Sequence, residues 1–486
     1  MTSDALEPAA PVARPVLDPR RWKALALLCV AFFMVIVDSQ IVILALPEMR
    51  SDLGMSATES TWVMSAYMLS FGGLLLLGGR TADHLGGRRM FMVGTALFMA
   101  ASVACALAPT GAALIAARLV QGAAAAIMTP TAMTVLMATF PEGAERNKAL
   151  GIWTGIGAFG ATAALLIGGP ITDGLGWPWV FYINVPLGLI VLVLGPKVLR
   201  ETARVVGRSR FDAPGAALVT GAVGALVYAI IEAPSAGWAS GQTLALLVGA
   251  AILMVGFVLV EQRSPAPLVP LRIFRSATFV SGNVIVLLVG MAVYGGAMTL
   301  SLYAQDVLGY SAVAFGLSTA IYAAMSLIGS NVAGRLITTA GFRRIALVGS
   351  TLMGTGLVVL AFVSPDGNYW DDLFIGLVVF GSGIGTTHVA GSVAALSGAK
   401  PEEAGLASGV TNAVFQVGAA LGIAITSTVA LATKGAGESA GALTEGYRAS
   451  FWTCAVFVLV AFVIALATRR TPRDEREGAS AGTSAS

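Results

Sequence analysis

Residues 79–89 read Gly79-Arg80-Thr81-Ala82-Asp83-His84-Leu85-Gly86-Gly87-Arg88-Arg89, and residues 334–344 read Gly334-Arg335-Leu336-Ile337-Thr338-Thr339-Ala340-Gly341-Phe342-Arg343-Arg344. The leading Gly-Arg, the later glycine and the Arg-Arg pair coincide at a constant offset of 255 residues. Each stretch is a short basic turn between two long apolar runs. A shared need for positive inner loops explains the arginines; the matched glycines favour a duplication.

Outward from these turns, apolar runs fall at about 22–46, 60–78, 90–108, 111–137, 150–171, 179–196, 213–232, 242–261, 277–301, 311–332, 345–363, 372–394, 405–432 and 449–468. Each is long enough to cross a hydrocarbon core of ~30 Å as a helix. Composition agrees: 56% of the 486 residues are hydrophobic and 11% charged, against about 25% charged in soluble domains. With both termini on the inner side, inner segments hold 25 of the 29 Lys and Arg residues. The outer loops hold Arg50, Lys434 and Arg448, and Arg118 lies within a span. That bias is the positive-inside rule. Merging two neighbouring runs would reverse every later loop and spoil it.

The expected fold is an all-α polytopic membrane protein with two parallel six-helix halves and two extra central helices, fourteen transmembrane helices in all. The expected organisation is a cytoplasmic N-terminal tail (1–21), a first half (22–197), a linker with the two extra spans (198–262), a second half (263–468) and a disordered cytoplasmic tail (469–486). The role of the extra spans is open. The first run continues past Pro47 with no small-residue cleavage site, so it reads as a retained helix. Cys29, Cys105 and Cys454 lie inside apolar runs without metal-ligand or Cys-x-x-Cys spacing and read as small buried hydrophobes. No cofactor or metal is expected. The heavy use of Arg, Ala and Gly suits a GC-rich bacterial genome, so the expected location is a bacterial inner (plasma) membrane.

The first basic turn resembles the signature loop of the major facilitator superfamily, Gly-x-Leu-Ala-Asp-Arg-x-Gly-Arg-Arg. The whole chain is similar to the fourteen-span drug:proton antiporter branch of that superfamily. Thr81, His84 and Gly87 depart from the loop pattern, while Gly79, Arg80, Asp83, Gly86, Arg88 and Arg89 stand as candidate loop residues. The resemblance implies that this loop latches the halves together; a bare orientation signal is the alternative. Gly86-Gly87 permits a tight turn, and Asp83 is expected to face the positive end of a helix. Two further stretches carry the likeness. Val37-Asp38-Ser39-Gln40-Ile41-Val42-Ile43-Leu44-Ala45-Leu46-Pro47 is similar to the branch's first span, with Gln40 and Ile43 departing from it. Trp179-Val180-Phe181-Tyr182-Ile183-Asn184-Val185-Pro186 matches its run after span 5.

A charge at the bilayer centre costs ~2.5–3.5 kcal/mol even on a lenient scale. Asp38 lies well inside span 1. Arg118 lies about two turns into span 4, in Arg118-Leu119-Val120-Gln121-Gly122, which is similar to the family's Arg-x-x-Gln-Gly proton-transfer motif. Both fall in the outer half of the membrane and meet if the spans are neighbours. Gln121 shares the helix face of Arg118. Asp38 is therefore the expected proton-coupling carboxylate, with Arg118 and Gln121 modulating it; a structural ion pair is the alternative.

Span 5 carries Gly155, Gly157, Gly160, Gly168, Gly169 and Pro170, small residues that suit a helix sliding against neighbours. The family's antiporters keep Gly-Pro-x-x-Gly-Gly here, where this chain has Ala164-Leu165 before Gly168-Gly169. Candidate cavity residues are Met128, Trp153, Phe159, Asn283, Tyr294, His388, Asn412 and Gln416, each open to a plain packing role. His388 reads either as a second titrating group or as a packed neutral ring.

No phosphate-binding loop, HExxH, GxSxG or Cys/His cluster occurs, which argues against an enzyme and for an ion gradient as the energy source. The expected function is proton-coupled export of lipophilic small molecules, antibiotics or dyes, by a chain working as a monomer. The expected partners are the substrate, protons and the bilayer, with no nucleic acid. Carriage of a specific native metabolite, or coupling to another ion, is the alternative. A non-transporting sensor is disfavoured because no soluble output domain is present.

Overall fold

A computed structural model describes residues 19–140, 144–201, 212–264, 267–398, 404–434, 437 and 439–468. The expectations for the two tails lie outside the described residues, as do residues 202–211 of the linker and the side chains of Asp83 and His84. Among the described residues there is no β-strand. That is the outcome expected of a chain whose backbone must satisfy its own hydrogen bonds away from water.

The spans are α1 (Arg21–Asp52), α2 (Ala57–Leu85), α3 (Gly87–Ala106), α4 (Gly111–Thr139), α5 (Ala144–Leu175), α6 (Trp179–Val198), α7 (Ala213–Ala236), α8 (Gly241–Arg263) and α9 (Ala277–Leu302). Among the described residues, thirteen helices are long and apolar enough to cross a membrane. The longest, Ala312–Leu360, runs 49 residues, far beyond the ~20 that a bilayer needs. It is two spans: Gly341 sits at φ +76°, a conformation natural to glycine, and separates α10 (312–340) from α11 (342–360). Then follow α12 (Ile375–Ser397), α13 (Ala404–Lys434) and α14 (Ala440–Ala467), completing fourteen spans. Gly86, the counterpart of Gly341, turns α2 into α3 at φ +97°.

Side-chain caps fix where several spans begin. Thr110, Ser240, Ser276, Ser311 and Ser439 each accept the N–H of the third residue onward, at 3.2–3.3 Å. Such a cap is worth ~0.5–2 kcal/mol.

In the first half, α1 packs on α4, α5 and α6; in the second, α9 packs on α12, α13 and α14. The halves meet along α2–α13 and α5–α10, with α1 touching α9. The end bearing residues 79–89 and 334–344 is termed the arginine-rich end. At the opposite end the α5–α10 seam is shut at backbone distance. A Cβ on Gly169 would stand 2.5 Å from Val313 Cα, and one on Gly316 would stand 2.1 Å from Leu165 O. The Asp173 carboxylate of α5 accepts the Ala312 and Val313 N–H groups, each at 3.1 Å, and so caps α10. Nearby, Ser301 of α9 donates its hydroxyl to Ile43 O at 2.8 Å. Toward the arginine-rich end, side chains on Gly151, Gly155 or Gly334 would meet nothing within 4 Å.

The two extra spans lean on the α2–α13 seam. Gly73 of α2 lies against Thr220 of α7. Thr428 of α13 donates to Ile230 O of α7 at 2.9 Å.

Candidate functional site

The first half encloses a polar cluster with no exposure. Asp38, Arg118, Gln121 and Asn184 are each 0% exposed. Arg118 Nη1 donates to Asp38 Oδ2 at 2.6 Å, so spans 1 and 4 do bring the two charges together. Gln121 Nε2 and Asn184 Nδ2 both donate to Asp38 Oδ1, at 2.8 and 2.9 Å. Arg118 also reaches Gln121 Oε1 at 2.7 Å and, through Nε, Val63 O at 3.2 Å. Its guanidinium lies 4.1 Å from the centroid of the Tyr67 ring, within cation–π range. Ser102 accepts from Gln121 and Asn184, at 2.8 and 3.2 Å.

Two further features surround the ion pair. Asp38 accepts three side-chain hydrogen bonds from two other spans, so its charge is held only while α1, α4 and α6 keep this arrangement. Arg118 Nη2, Tyr67 Oη and Asn184 Oδ1 are buried without hydrogen-bond partners. Unmade hydrogen bonds in a buried site are costly, and they mark groups that a rearrangement could satisfy. Sequence reading did not single out Asn184 or Ser102. The available signal was a lone Asn in the apolar run 179–196.

The cavity candidates divide. Tyr294 and His388 come together around Phe415, with ring centroids 6.0 and 5.0 Å from it in edge-on contact. Gln40 of α1 donates to the Tyr294 hydroxyl at 3.1 Å across the two halves. Gln40 and Phe415 thus belong to this wall, although sequence reading named neither as a contact. Gln416 of α13 instead packs on α2, its Cβ 2.9 Å from where a Cβ on Gly72 would sit, with its Oε1 buried and unpartnered. Phe159 is 61% exposed beside Phe33. Trp153, by contrast, is buried in a stack on Phe32 at 4.2 Å. Met128 is buried. Asn283 and Asn412 spend their amides on the Phe279 and Ser408 carbonyls of their own helices.

In α5, Gly157, Gly160 and Gly168 lie against Phe32, Ile36 and Ile41 of α1, while Gly169 faces α10. Gly155 faces open space and Pro170 is exposed. Of the signature loop, Arg80 donates to Pro267 O at 2.7 Å. Arg88 meets Glu201, through its N–H at 3.0 Å and its Nε at 3.5 Å. Arg89 is exposed.

The major facilitator superfamily model matches residues 28–423. The chain belongs to that superfamily. The facilitator is 37% identical over 446 residues to the cephamycin export protein CmcT of Amycolatopsis lactamdurans, covering 91% of each chain. It is 35% identical over 437 residues to the puromycin resistance protein pur8 of Streptomyces alboniger, covering 88% of this chain and 86% of that one. Among solved structures, it superposes with TM-score 0.67 and 18% identity on a bacterial homolog of the human lysosomal transporter Spinster, over 94% of this chain and all of that one. That last likeness bears on the fold alone.

Proposed function

We propose that this facilitator is a drug:proton antiporter that exports lipophilic antibiotics or dyes from a bacterial cell by alternating access, with Asp38 as its proton carrier. The observation that carries the reading is the wholly buried Asp38–Arg118 pair at 2.6 Å, formed between two spans. An intramembrane carboxylate with a guanidinium counter-ion on another helix changes its preference for a proton when those helices shift. In the present arrangement Arg118, Gln121 and Asn184 hold the charge. Withdrawing Arg118 leaves a buried anion that must be protonated, and that exchange ties proton movement to the motion of the halves. The curated relatives named for resistance and export support the direction and the substrate class. The positive-inside bias supports a cytoplasmic location for the arginine-rich end and both termini. The wall of Gln40, Tyr294, His388 and Phe415 is where substrate would rest, and a single chain supplies all of it.

The test is dye efflux from loaded cells, with and without a protonophore, beside Asp38→Asn. Efflux should collapse in both cases while the variant remains inserted and folded. Full proton-dependent efflux by Asp38→Asn would sink the assignment. Efflux indifferent to the protonophore would point to another coupling ion.

A further inference from the structure

Two carboxylates at the arginine-rich end take no part in the chemistry above. Asp212 caps α7, its Oδ1 accepting the Gly215 N–H at 2.9 Å. Glu261 lies in the last turns of α8, its Oε2 accepting the Val269 N–H at 3.3 Å from the turn that leads to α9, with the Leu268 N–H of the same turn also directed at the carboxylate. They are 7% and 4% exposed. Each has spent one oxygen on the backbone. The other two, Asp212 Oδ2 and Glu261 Oε1, are buried with no hydrogen-bond partner. The two groups converge over Gly215: the position of a Cβ there is 3.1 Å from Asp212 Cγ and Oδ1 and 3.1 Å from Glu261 Oε1.

Among the described residues, Asp212 and Arg80 of α2 are the charges that act on Glu261. Arg80 donates to Pro267 O at 2.7 Å, in the same turn that holds Glu261. Among the described residues, Ile273 of the following turn, Ala216 of α7 and Ala407 and Val410 of α13 form the apolar packing there. Beside the same glycine, two buried carboxylate groups thus each keep one oxygen that lacks a donor. A buried acceptor left without a donor is costly. One proton relieves both oxygens at once, because a carboxyl O–H formed on one of them is a donor for the other.

We propose that Asp212 and Glu261 form a second proton-binding site, remote from Asp38, in which one proton drawn from water at the arginine-rich end is shared between Glu261 Oε1 and Asp212 Oδ2. The shared proton fastens the bases of α7 and α8 to each other. Through the 267–269 turn and Arg80 it also fastens the pair to the base of α2. The extra hairpin is thereby joined to the signature loop by a contact that exists only while the proton is present. Gly215 is part of the device, since a side chain there would wedge the carboxylates apart.

Infrared spectroscopy of the purified full-length protein tests this, because the C=O stretch of a protonated carboxyl is distinct from that of a carboxylate. An Asp38→Asn background removes the coupling carboxylate from the reading, so the outcome does not depend on the antiport proposal. In that background the chain at neutral pH should show a protonated-carboxyl band. The band should lose the intensity of one carboxyl in Glu261→Gln and, independently, in Asp212→Asn. Both amides keep the shape and supply an N–H in place of the proton, so if one variant does not fold the other serves. A band unchanged by either substitution overturns the proposal. So does a band abolished by sodium or potassium at constant ionic strength, which would make this a cation site.

Discussion

Asp38 accepts from Arg118, Gln121 and Asn184, so the free energy of the cluster resides in a network and is not the sum of its bonds. Taking Arg118 away leaves a buried carboxylate without its counter-ion, a change that typically costs ~3–5 kcal/mol. Arg118→Met should therefore lower the unfolding free energy of the purified protein by about that amount. Asp38→Asn combined with Arg118→Met should recover most of it, because an amide at position 38 can still bond Gln121 and Asn184 without a charge. Equal instability of single and double variants would instead assign Arg118 to packing on Tyr67. Asp38, Arg118 and Gln121 stand out in sequence because a charge inside an apolar run is conspicuous. Ser102 does not, because serines in spans routinely bond the carbonyl four residues back, as Ser102 also does with Phe98 at 2.9 Å. Polarity in a span therefore does not by itself reveal a cross-helix contact.

Helix packing at the α5–α10 seam explains why α5 ends in paired glycines even though the family's preceding Gly-Pro is Ala164-Leu165 here. Gly168 receives Ile41 of α1, and Gly169 receives the α10 backbone. Two faces of α5 are thus tight against partners in different halves. Gly169→Leu cannot keep that approach, since its Cβ alone would be 2.5 Å from Val313 Cα. Spin labels at Leu175 and Gly309 should report a longer distance in this variant, with loss of efflux; an unchanged distance would show that the seam yields elsewhere. Asp173→Ala removes the α10 cap that α5 supplies and should cost ~1 kcal/mol of stability. Asp173→Asn keeps an acceptor and should be milder in the same melting experiment. The span positions were legible in the sequence because ~20-residue apolar runs and the Arg bias report them directly. The seam was not, because a glycine facing a partner and a glycine facing open space, such as Gly155, look alike in the sequence.

Across the whole molecule, the 255-residue repeat anticipated the two matched turns, and both resolve at glycines with positive φ, Gly86 at +97° and Gly341 at +76°. The place of the inserted hairpin was not legible. Its apolar surface looks the same whether lipid or the α2–α13 seam covers it. The direction in which the bundle crosses the membrane rests on the charge bias, and it can be tested because the native cysteines are quiet: Cys29, Cys105 and Cys454 are all buried. Ala239, exposed between α7 and α8, lies at the end opposite the arginines, while Thr338, exposed in the 334–344 turn, lies among them. In intact cells a membrane-impermeant maleimide should modify Ala239→Cys and spare Thr338→Cys, and in inverted vesicles the pattern should reverse. Labelling of Thr338→Cys in intact cells would turn the bundle over. The reversal would move the Asp212–Glu261 pair to the outer face and make the Asp38 cluster's neighbouring end cytoplasmic. An exporter in that orientation would have to load substrate from the end opposite the arginines, where the α5–α10 seam is shut at backbone distance.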